Sequence, residues 1–310
     1  MLIITGSLAY DYIMGFPGSF SDHILPEQTH NINVSFIVDN FAKRRGGTAG
    51  NVSYTLGLLG TPHVLFSYAG KDFVEYKKDF HELGIKTNHV EIDENDYTAT
   101  GFAMADKKQN QIWGFYYGAA AKNETLDLKK VAKKSDYVLI GPQGATASIG
   151  LIKQCVELEI PYMFDPGFIL TQVTNKDLLI GLKHADTIIG NAFEMTTINN
   201  RIKDFASIEK SKIIITTLGE KGATIDLRKK RHKIPSVKVA KIGATTGAGD
   251  AWRGGYFAGR VRGFDYEISG RMGAVASSFA VEHVGTQDQT YTLKEFAKRY
   301  KDGYNENLKL

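Results

Sequence analysis

Short apolar runs alternate along most of the chain with segments whose apolar residues recur at helical spacing. The runs stand at 2–5, 63–68, 137–140, 162–164, 187–189 and 212–217, and the helical segments at 48–59, 73–83, 146–158 and 175–184. Continuous apolar runs are typical of strands that are buried on both faces, and parallel strands need crossover helices between them. The pattern predicts an α/β fold with a doubly wound, mostly parallel sheet flanked by helices, followed by three helices at 247–262, 266–283 and 292–302.

Two stretches break this alternation. Residues 9–40, which include HNINVSFIV, and residues 96–117, which include TATGFAMAD and QIWGFYYG, read as strands but lack a crossover helix. We expect them to form a small β-sheet that lies as a lid over the mouth of the parallel sheet, or else an antiparallel extension of its edge. With a lid, the α/β core comprises 1–8, 41–95 and 118–310, and the lid comprises 9–40 and 96–117.

Composition narrows the class of protein. With 310 residues, 43% of them hydrophobic, the chain can build a full core without disulfides, and its single cysteine, Cys155, should be buried and reduced. The net charge of +4 comes from scattered basic residues, which excludes the concentrated basic face of a nucleic-acid-binding protein. The apolar runs are shorter than the ~18 residues of a membrane span and the N-terminus does not resemble a signal peptide, so we expect a cytoplasmic protein without a membrane partner.

The densest glycine cluster is the segment KIGATTGAGDAWRGGYFAGR at residues 241–260. A glycine-rich turn there leads into a helix, so we expect the N–H groups of residues 246–250 to be unpaired at the positive end of a helix dipole, where anions bind. Gly247 and Gly249 carry no side chain that would keep a phosphate away from the backbone. Asp250 would repel that phosphate unless it accepts a proton from an attacking hydroxyl, although it could instead simply cap the helix.

Two common phosphate-binding motifs do not explain this turn. A P-loop requires Gly-Lys followed by Ser or Thr, and Gly70-Lys71 is followed by Asp72. A dinucleotide-binding fingerprint that starts at Gly247 would need glycine in place of Trp252. The anion site is therefore of another kind.

A second glycine cluster, RRGGTAGNVSYTLGLLG at residues 44–60, opens another predicted helix. Gly46 and Gly47 allow a ligand to approach the backbone, and Asn51 offers both the donor and the acceptor that a vicinal diol needs. Asp11 follows the first strand, at the edge where open α/β sheets bind ligands. The cluster is thus either part of a sugar site or a tight turn with close helix packing.

Taken together, GGTAGN at 46–51 and TGAGD at 246–250 resemble the two signatures of the ribokinase-like (PfkB) kinases. The resemblance covers the whole chain. Within the family, the N-terminal stretch GSLAYDYIMGFPGSF and GTQ at 285–287 are most similar to bacterial adenosine kinases. Supporting segments occur in the matching order, namely Gly6 and Asp11, NAFE at 191–194, and TLGEKG at 217–222.

The resemblance implies a kinase that uses ATP with Mg²⁺ to phosphorylate a sugar hydroxyl beneath a β lid. The adenosine kinase likeness narrows this to the ribose 5′-hydroxyl of a nucleoside, with adenosine converted to AMP in purine salvage, and it implies a homodimer joined through the lids. Two alternatives stay open: a kinase of a free sugar such as ribose, and a ligand-sensing relative without catalysis, against which the intact motifs argue.

The resemblance also assigns roles to individual residues of this sequence. It implies that Asp250 is the catalytic base and that Gly247, Ala248 and Gly249 form the anion hole. It implies that Asn191 and Glu194 organise Mg²⁺ and its waters around the ATP phosphates. The residues implied at the nucleotide are Thr217, Gly219 and Gly222, and those implied at the sugar are Ser7, Asp11, Ser35, Gly46, Gly47 and Asn51.

Aromatic residues in the lid favour a nucleoside over a free sugar. Phe102 and Phe115 lie in the two predicted strands of 96–117, where they could sandwich a planar base by offset stacking. A free pentose would leave such faces unoccupied. The alternative is that both rings pack within the lid or against a second subunit, and the exposed edge around HNINVSFIV could pair with a second copy of the chain.

Two positions depart from the family pattern. Ala244 stands where the family usually has an aspartate associated with a monovalent cation, so activation by K⁺ stays open. The segment DPGFI at 165–169 is apolar after its Asp-Pro, where bacterial adenosine kinases have polar residues. This departure weakens the case for specific adenine hydrogen bonds and leaves room for a broader nucleoside kinase or another base.

Overall fold

A computed structural model of the chain describes residues 1–24, 33–108, 110–228 and 230–310. Within these residues the strands, in chain order, are β1 (Leu2–Thr5), β2 (Ala9–Phe16), β3 (Asn40–Gly46), β4 (Val64–Leu65), β5 (Ser67–Gly70), β6 (Val90–Asp93), β7 (Ala99–Asp106), β8 (Gln111–Tyr116), β9 (Tyr137–Ile140), β10 (Tyr162–Phe164), β11 (Thr187–Asn191), β12 (Ile213–Thr217), β13 (Ala223–Leu227) and β14 (Lys230–Ile234). The α-helices are α1 (Thr48–Leu58), α2 (Val74–Glu82), α3 (Ala145–Glu157), α4 (Asn175–His184), α5 (Ala192–Arg201), α6 (Phe205–Glu209), α7 (Ala248–Val261), α8 (Tyr266–Val281) and α9 (Leu293–Tyr304).

In the described part of the chain, the large sheet has eight strands in the order β14-β13-β12-β11-β10-β9-β1-β4. All neighbours from β4 to β12 are parallel, whereas β12, β13 and β14 form antiparallel pairs at one edge. The expected mostly parallel sheet is thus confirmed. The antiparallel hairpin escapes the sequence pattern because strands such as KRHKI in β14 are too polar to form an apolar run.

Helices cover both faces of this sheet. Leu139 of β9 packs in a core with Phe257 of α7 and with residues of α1, α8 and α9. The next residue, Ile140, packs in a second core with Ile152 of α3 and with residues of α4 and α5. Adjacent side chains of one strand therefore enter opposite cores, which is the arrangement of a doubly wound fold.

The carboxyl ends of the parallel strands meet along one edge of the large sheet. Asp165 directly follows β10, Asn191 ends β11, and Thr217 ends β12. Helix α5 begins at this edge because it follows β11 without a loop, and α7 is held to it by an ion pair between Arg253 and Asp165. This edge is where open α/β sheets bind ligands.

Among the described residues, the small sheet has four strands in the order β3-β2-β7-β8. Strands β2, β7 and β8 confirm that 9–40 and 96–117 contribute strands to a small sheet. The prediction of a strand at HNINVSFIV, residues 30–38, is wrong. Residues 33–38 have no regular secondary structure, and 30–32 lie outside the described residues. Instead the polar segment Asn40–Gly46 pairs antiparallel with β2, because sheet pairing uses backbone groups and an edge strand tolerates charged side chains.

The strand expected at 63–68 is divided between two sheets. Val64–Leu65 joins the large sheet beside β1, and Ser67–Gly70 pairs in parallel with β6 in a separate two-stranded sheet. Phe66, which is fully buried between them, makes the apolar run look continuous in the sequence.

Two expectations from composition can be compared with the described residues. Cys155 is buried in α3 as a free thiol, and burial raises its pKa to about 12. Within the described ranges, no helix is both long enough and apolar enough to cross a membrane.

Candidate active site

The glycine turn before α7 is built tightly against the segment 285–289. Gly247 has a φ of +80°, in the left-handed region, and a Cβ there would lie 2.8 Å from the Cβ of Thr286. The N–H of Ala248 donates to the carbonyl of Thr245 at 3.2 Å, so it is not among the unpaired groups that the sequence led us to expect. The N–H groups of Gly249 and Asp250 have no partner within the described part of the chain. These two donors stand at the positive end of α7.

Asp250, whose own N–H is one of these two donors, lies in the first turn of α7. Its Oδ2 accepts a hydrogen bond from Nδ2 of Asn51 at 2.8 Å. Desolvation raises the pKa of Asp250 to about 6, although the Arg253 charge and the Asn51 hydrogen bond act in the opposite direction. A carboxylate with a pKa in this range is suited to accept a proton near neutral pH.

Asn51 joins the two glycine clusters. Besides its bond to Asp250, its Oδ1 accepts hydrogen bonds from Oγ1 of Thr286 and from Nε2 of Gln287, both at 2.9 Å. Asn51 is 5% exposed, so these bonds lie in the interior. The amide expected to bind a diol is therefore engaged with protein groups on both of its sides, and it fixes α1, α7 and the 285–289 segment to one another.

Asp11 of β2 sits in a space that two glycines leave open. A Cβ on Gly46 would lie 2.7 Å from one carboxylate oxygen of Asp11, and a Cβ on Gly101 would lie 2.6 Å from the other. Desolvation raises the pKa of Asp11 to about 6. The structure thus brings Asp11 and Gly46 together, as the sequence predicts, and adds Gly101 of the neighbouring strand.

The other sugar-site candidates divide into two groups. Ser7 and Gly47 lie at the start of α1, where Oγ of Ser7 accepts a hydrogen bond from the N–H of Thr48 at 3.1 Å. Ser7 therefore caps a helix in this structure. Ser35 is exposed in the irregular segment before β3, and no described contact joins it to the cluster.

Phe102 and Phe115 do not form the expected sandwich. In the register of β7 and β8, Phe115 pairs with Gly101 and Phe102 pairs with Gly114, so the two rings lie on opposite faces of the small sheet. Phe102 stacks on Tyr12, with ring centroids 5.4 Å apart. One flat base cannot lie between rings that a sheet separates, so this part of the sequence interpretation is wrong.

A different aromatic pair occupies the face that carries Asp11. Trp113 and Phe115 stack with ring centroids 5.3 Å apart and an interplanar angle of 5°, and both rings approach the position of a Cβ on Gly101. Their exposed fractions are 39% and 73%. Sequence reasoning missed Trp113, although the period-2 rule for strands places residues 113 and 115 on one face.

Asn191 and Glu194 form a capping box at the start of α5. The side chain of Asn191 accepts from the N–H of Glu194 at 2.9 Å, and Oε2 of Glu194 accepts from the N–H of Asn191 at 2.7 Å. Desolvation raises the pKa of Glu194. The motif thus has a structural role of its own, and it holds the Glu194 carboxylate at the ligand-binding edge of the sheet.

The three nucleotide-site candidates lie around the end of β12. Thr217 is its last residue, and Gly219 and Gly222 bracket the short turn that leads into β13. A Cβ on Gly219 would meet no atom within 4 Å, so this position faces open space beside the sheet edge.

A buried ion pair near Asp250 was not foreseen from the sequence. Nε of Arg253 lies 2.6 Å from Oδ2 of Asp165, and the two residues are 7% and 2% exposed. The sequence offers two features that point to this pair. Arg253 stands three residues after Asp250 on the same helix face, and Asp165-Pro166 stands at the end of a predicted strand. Neither fragment indicates the other, because they are far apart in the sequence.

The chain is similar in sequence to known kinases. A family model described as "pfkB family carbohydrate kinase" matches residues 16–293, which confirms the resemblance seen in the sequence. A nucleoside kinase of Methanocaldococcus jannaschii is 29% identical over 300 residues, covering 95% of this chain and 94% of that protein.

Solved structures extend the comparison to the fold. Burkholderia thailandensis nucleoside kinase in complex with inosine superposes with a TM-score of 0.86 at 30% identity, covering 99% of both chains. Arabidopsis thaliana ribokinase complexed with ribose and ATP has a TM-score of 0.76 at 18% identity over 97% of this chain and 98% of that one, which shows the fold alone. The expected ribokinase-like α/β fold is confirmed.

Proposed function

Since the chain belongs to the pfkB family of carbohydrate kinases, we propose that it transfers the γ-phosphoryl group of ATP to the ribose 5′-hydroxyl of a nucleoside. The observation that carries the proposal is the hydrogen bond between Asp250 and Asn51, which places a carboxylate of near-neutral pKa between the two glycine clusters. The nucleoside kinases of M. jannaschii and B. thailandensis, which match almost the whole chain, support the choice of a nucleoside.

In this proposal Asp250 accepts the proton of the 5′-hydroxyl as that oxygen attacks the γ-phosphorus. Phosphoryl transfer through a loose transition state depends more on alignment and charge neutralisation than on a strong base, so a carboxylate is sufficient. The free N–H groups of Gly249 and Asp250, with the dipole of α7, stabilise the negative charge on the transferred group. Gly247 and Ala248 complete the turn that holds these donors.

The residues at the nucleotide end fit Mg²⁺ bound together with ATP. Mg²⁺ prefers oxygen ligands and usually retains waters, with one or two carboxylates and substrate phosphates. Glu194 offers such a carboxylate, and within the described residues no cluster of three His, Cys, Asp or Glu side chains could hold a metal by itself. Bound there through water, with Asn191 beside it, Mg²⁺ would neutralise phosphate charge. We assign Thr217, Gly219 and Gly222 to the ATP side of the site.

The nucleoside is proposed to lie beneath the small sheet, which acts as the lid. Asp11, beside Gly46 and Gly101, is positioned to accept hydrogen bonds from the ribose hydroxyls, with Gly47 next in the chain to Gly46, and the face formed by Trp113 and Phe115 offers a flat apolar surface to the base. Adenosine, converted to AMP in purine salvage in the cytoplasm, remains our first choice of substrate. Inosine is the next, because it is the nucleoside bound in the B. thailandensis enzyme.

We further propose that the protein is a homodimer joined through the outer lid face, defined as the face opposite Asp11. Its aromatic rings are stacked in a row, with Tyr12 between Phe41 and Phe102 at 5.9 Å and 5.4 Å. Phe41 is 64% exposed and Phe102 is 47% exposed, as is Ile112 on the adjoining strand. An exposed aromatic patch of this kind is typical of a surface that another protein covers.

The experiment that tests the proposed function is a coupled kinase assay with ATP against a panel of nucleosides and free sugars, with product identity checked by mass spectrometry. We expect a nucleoside 5′-monophosphate. The Asp250→Asn variant should lower kcat by about 10³-fold while it leaves nucleoside binding, measured by calorimetry, near that of the wild type. Phosphorylation of ribose with no reaction on any nucleoside would establish the free-sugar alternative instead.

A further inference from the structure

Arg253 occupies an unusual position for a cationic side chain. It stands three residues after Asp250 on α7, so the two side chains share one helix face. Only 7% of the residue is exposed. An arginine this deeply buried is stabilised when it is paired, and Asp165 provides the partner at 2.6 Å.

The guanidinium lies against the glycine turn. A Cβ on Gly249 would be 2.9 Å from Nη1 of Arg253. A side chain at this position would have to displace the guanidinium, so glycine leaves room for the arginine. A positive charge fixed by Asp165 therefore lies against the glycine turn, and the sequence pattern of the turn does not include it.

The charged groups around Asp250 come from three elements. Arg253 lies on α7, Asp165 follows β10, Glu194 lies on α5, and the neutral Asn51 of α1 donates to Asp250. Within the described residues, Arg253 is paired directly with Asp165, and its charge also acts on Asp250. Asp165 and Glu194 raise the pKa of Asp250, and Arg253 opposes them, with a larger influence than either.

We propose that Arg253, anchored by Asp165, is a positioning residue that holds Asp250 in the ionised form and supplies positive charge beside the Gly247–Asp250 turn. The proposal deepens the assignment of Asp250 as the base and rests on the proposed function. It concerns a residue that acts through Asp250, which stands one turn before it on the same helix.

The test is the pH dependence of kcat/KM in Arg253→Gln and Arg253→Lys, with Arg260→Gln as the matched control. Arg260 lies two turns further along α7 and bonds to the carbonyl of Phe264. Because the base must be deprotonated, activity falls as the pH drops through the pKa of Asp250, near 6 in the wild type. Loss of the positive charge should move this acid limb upward by about one pH unit. Arg253→Lys keeps the positive charge, so its acid limb should lie close to that of the wild type. The Arg260→Gln control should leave the acid limb at the wild-type pH.

A uniform fall in rate at every pH, with the acid limb in its wild-type position, would overturn the proposal. Arg253→Gln leaves Asp165 buried without its partner, which endangers folding. The double variant Asp165→Asn with Arg253→Gln removes both charges. It should still move the acid limb of kcat/KM to higher pH, because Arg253 influences the pKa of Asp250 more than Asp165 does. An unmoved limb in the double variant would count equally against the proposal.

Failure of the proposed function can be recognised separately. The carboxyl ¹³C resonance of Asp250, identified by its loss in Asp250→Asn, can be titrated by NMR without any substrate. We expect its titration midpoint to be higher in Arg253→Gln than in the wild type by about one pH unit. If the wild type phosphorylated nothing in the panel while this shift was present, the kinase assignment would be wrong and the electrostatic role of Arg253 would stand.

Discussion

Replacing Asn51 with alanine is the most informative single change in the site. The side chain makes three hydrogen bonds, one to the carboxylate of Asp250 and two from Thr286 and Gln287. A hydrogen bond to a charged group contributes about 1.5–3 kcal/mol and one between neutral groups about 0.5–1.5 kcal/mol. Water that enters the gap will satisfy part of the loss, so we expect the free energy of unfolding to fall by about 3 kcal/mol.

The same change should alter the chemistry of Asp250. The Asn51 hydrogen bond lowers the pKa of Asp250, so its removal should raise that pKa above the present value of about 6 and move the acid limb of kcat/KM to higher pH. Stability would be measured by urea denaturation followed by circular dichroism, and the limb by assays from pH 5 to 9.

Thr55→Val is the matched control for Asn51→Ala. Thr55 lies on the same helix, one turn further on, and its buried hydroxyl has no hydrogen-bond partner within the described part of the chain. Loss of that hydroxyl should change the free energy of unfolding by less than about 0.5 kcal/mol. If Asn51→Ala were as stable as Thr55→Val and showed only a higher KM for the nucleoside, Asn51 would serve the substrate and the bridge between the clusters would be incidental.

Three further predictions concern the lid and the cation. Trp113→Ala should raise the KM for nucleosides about tenfold through lost base stacking without changing the KM for ribose, whereas Phe102→Ala on the opposite face should leave both within twofold; equal effects would contradict the face assignment. Replacing Phe41 and Phe102 with serine should shift the protein from dimer to monomer in sedimentation velocity, while serine at the exposed Phe193 of α5 should not. Because Ala244 offers no carboxylate to a cation, kcat in Na⁺ should match kcat in K⁺, and a several-fold preference for K⁺ would refute this.

Elements with strong local signals could be predicted from the sequence. Helix α4 matches its predicted range because an apolar face coincides with a cap, in which the Thr174 side chain accepts from the N–H of Asp177. Strands β1, β9 and β10 likewise match, as uninterrupted apolar runs. The hairpin of β13 and β14 and the edge strand β3 could not be found in this way, since they are held by backbone pairing and carry polar side chains.

The candidate site was predictable only as far as its motifs are local. The two glycine clusters can be found because each combines a turn with a helix start within a few residues. The faces of Phe102 and Phe115 depend instead on the register of β7 with β8, and a shift of one residue reverses the face. The pairing of Arg253 with Asp165 depends on the complete sheet, because the partners come from distant parts of the chain.

The continuity of β3 with α1 has a thermodynamic consequence. Only Gly47 separates the last residue of the strand, Gly46, from the helix whose Asn51 holds Asp250. If the small sheet moves when a nucleoside binds, the covalent chain transmits that movement to Asn51 and Asp250. Coupling between two binding equilibria is reciprocal, so ATP should increase the affinity for the nucleoside by the same factor as the nucleoside increases the affinity for ATP.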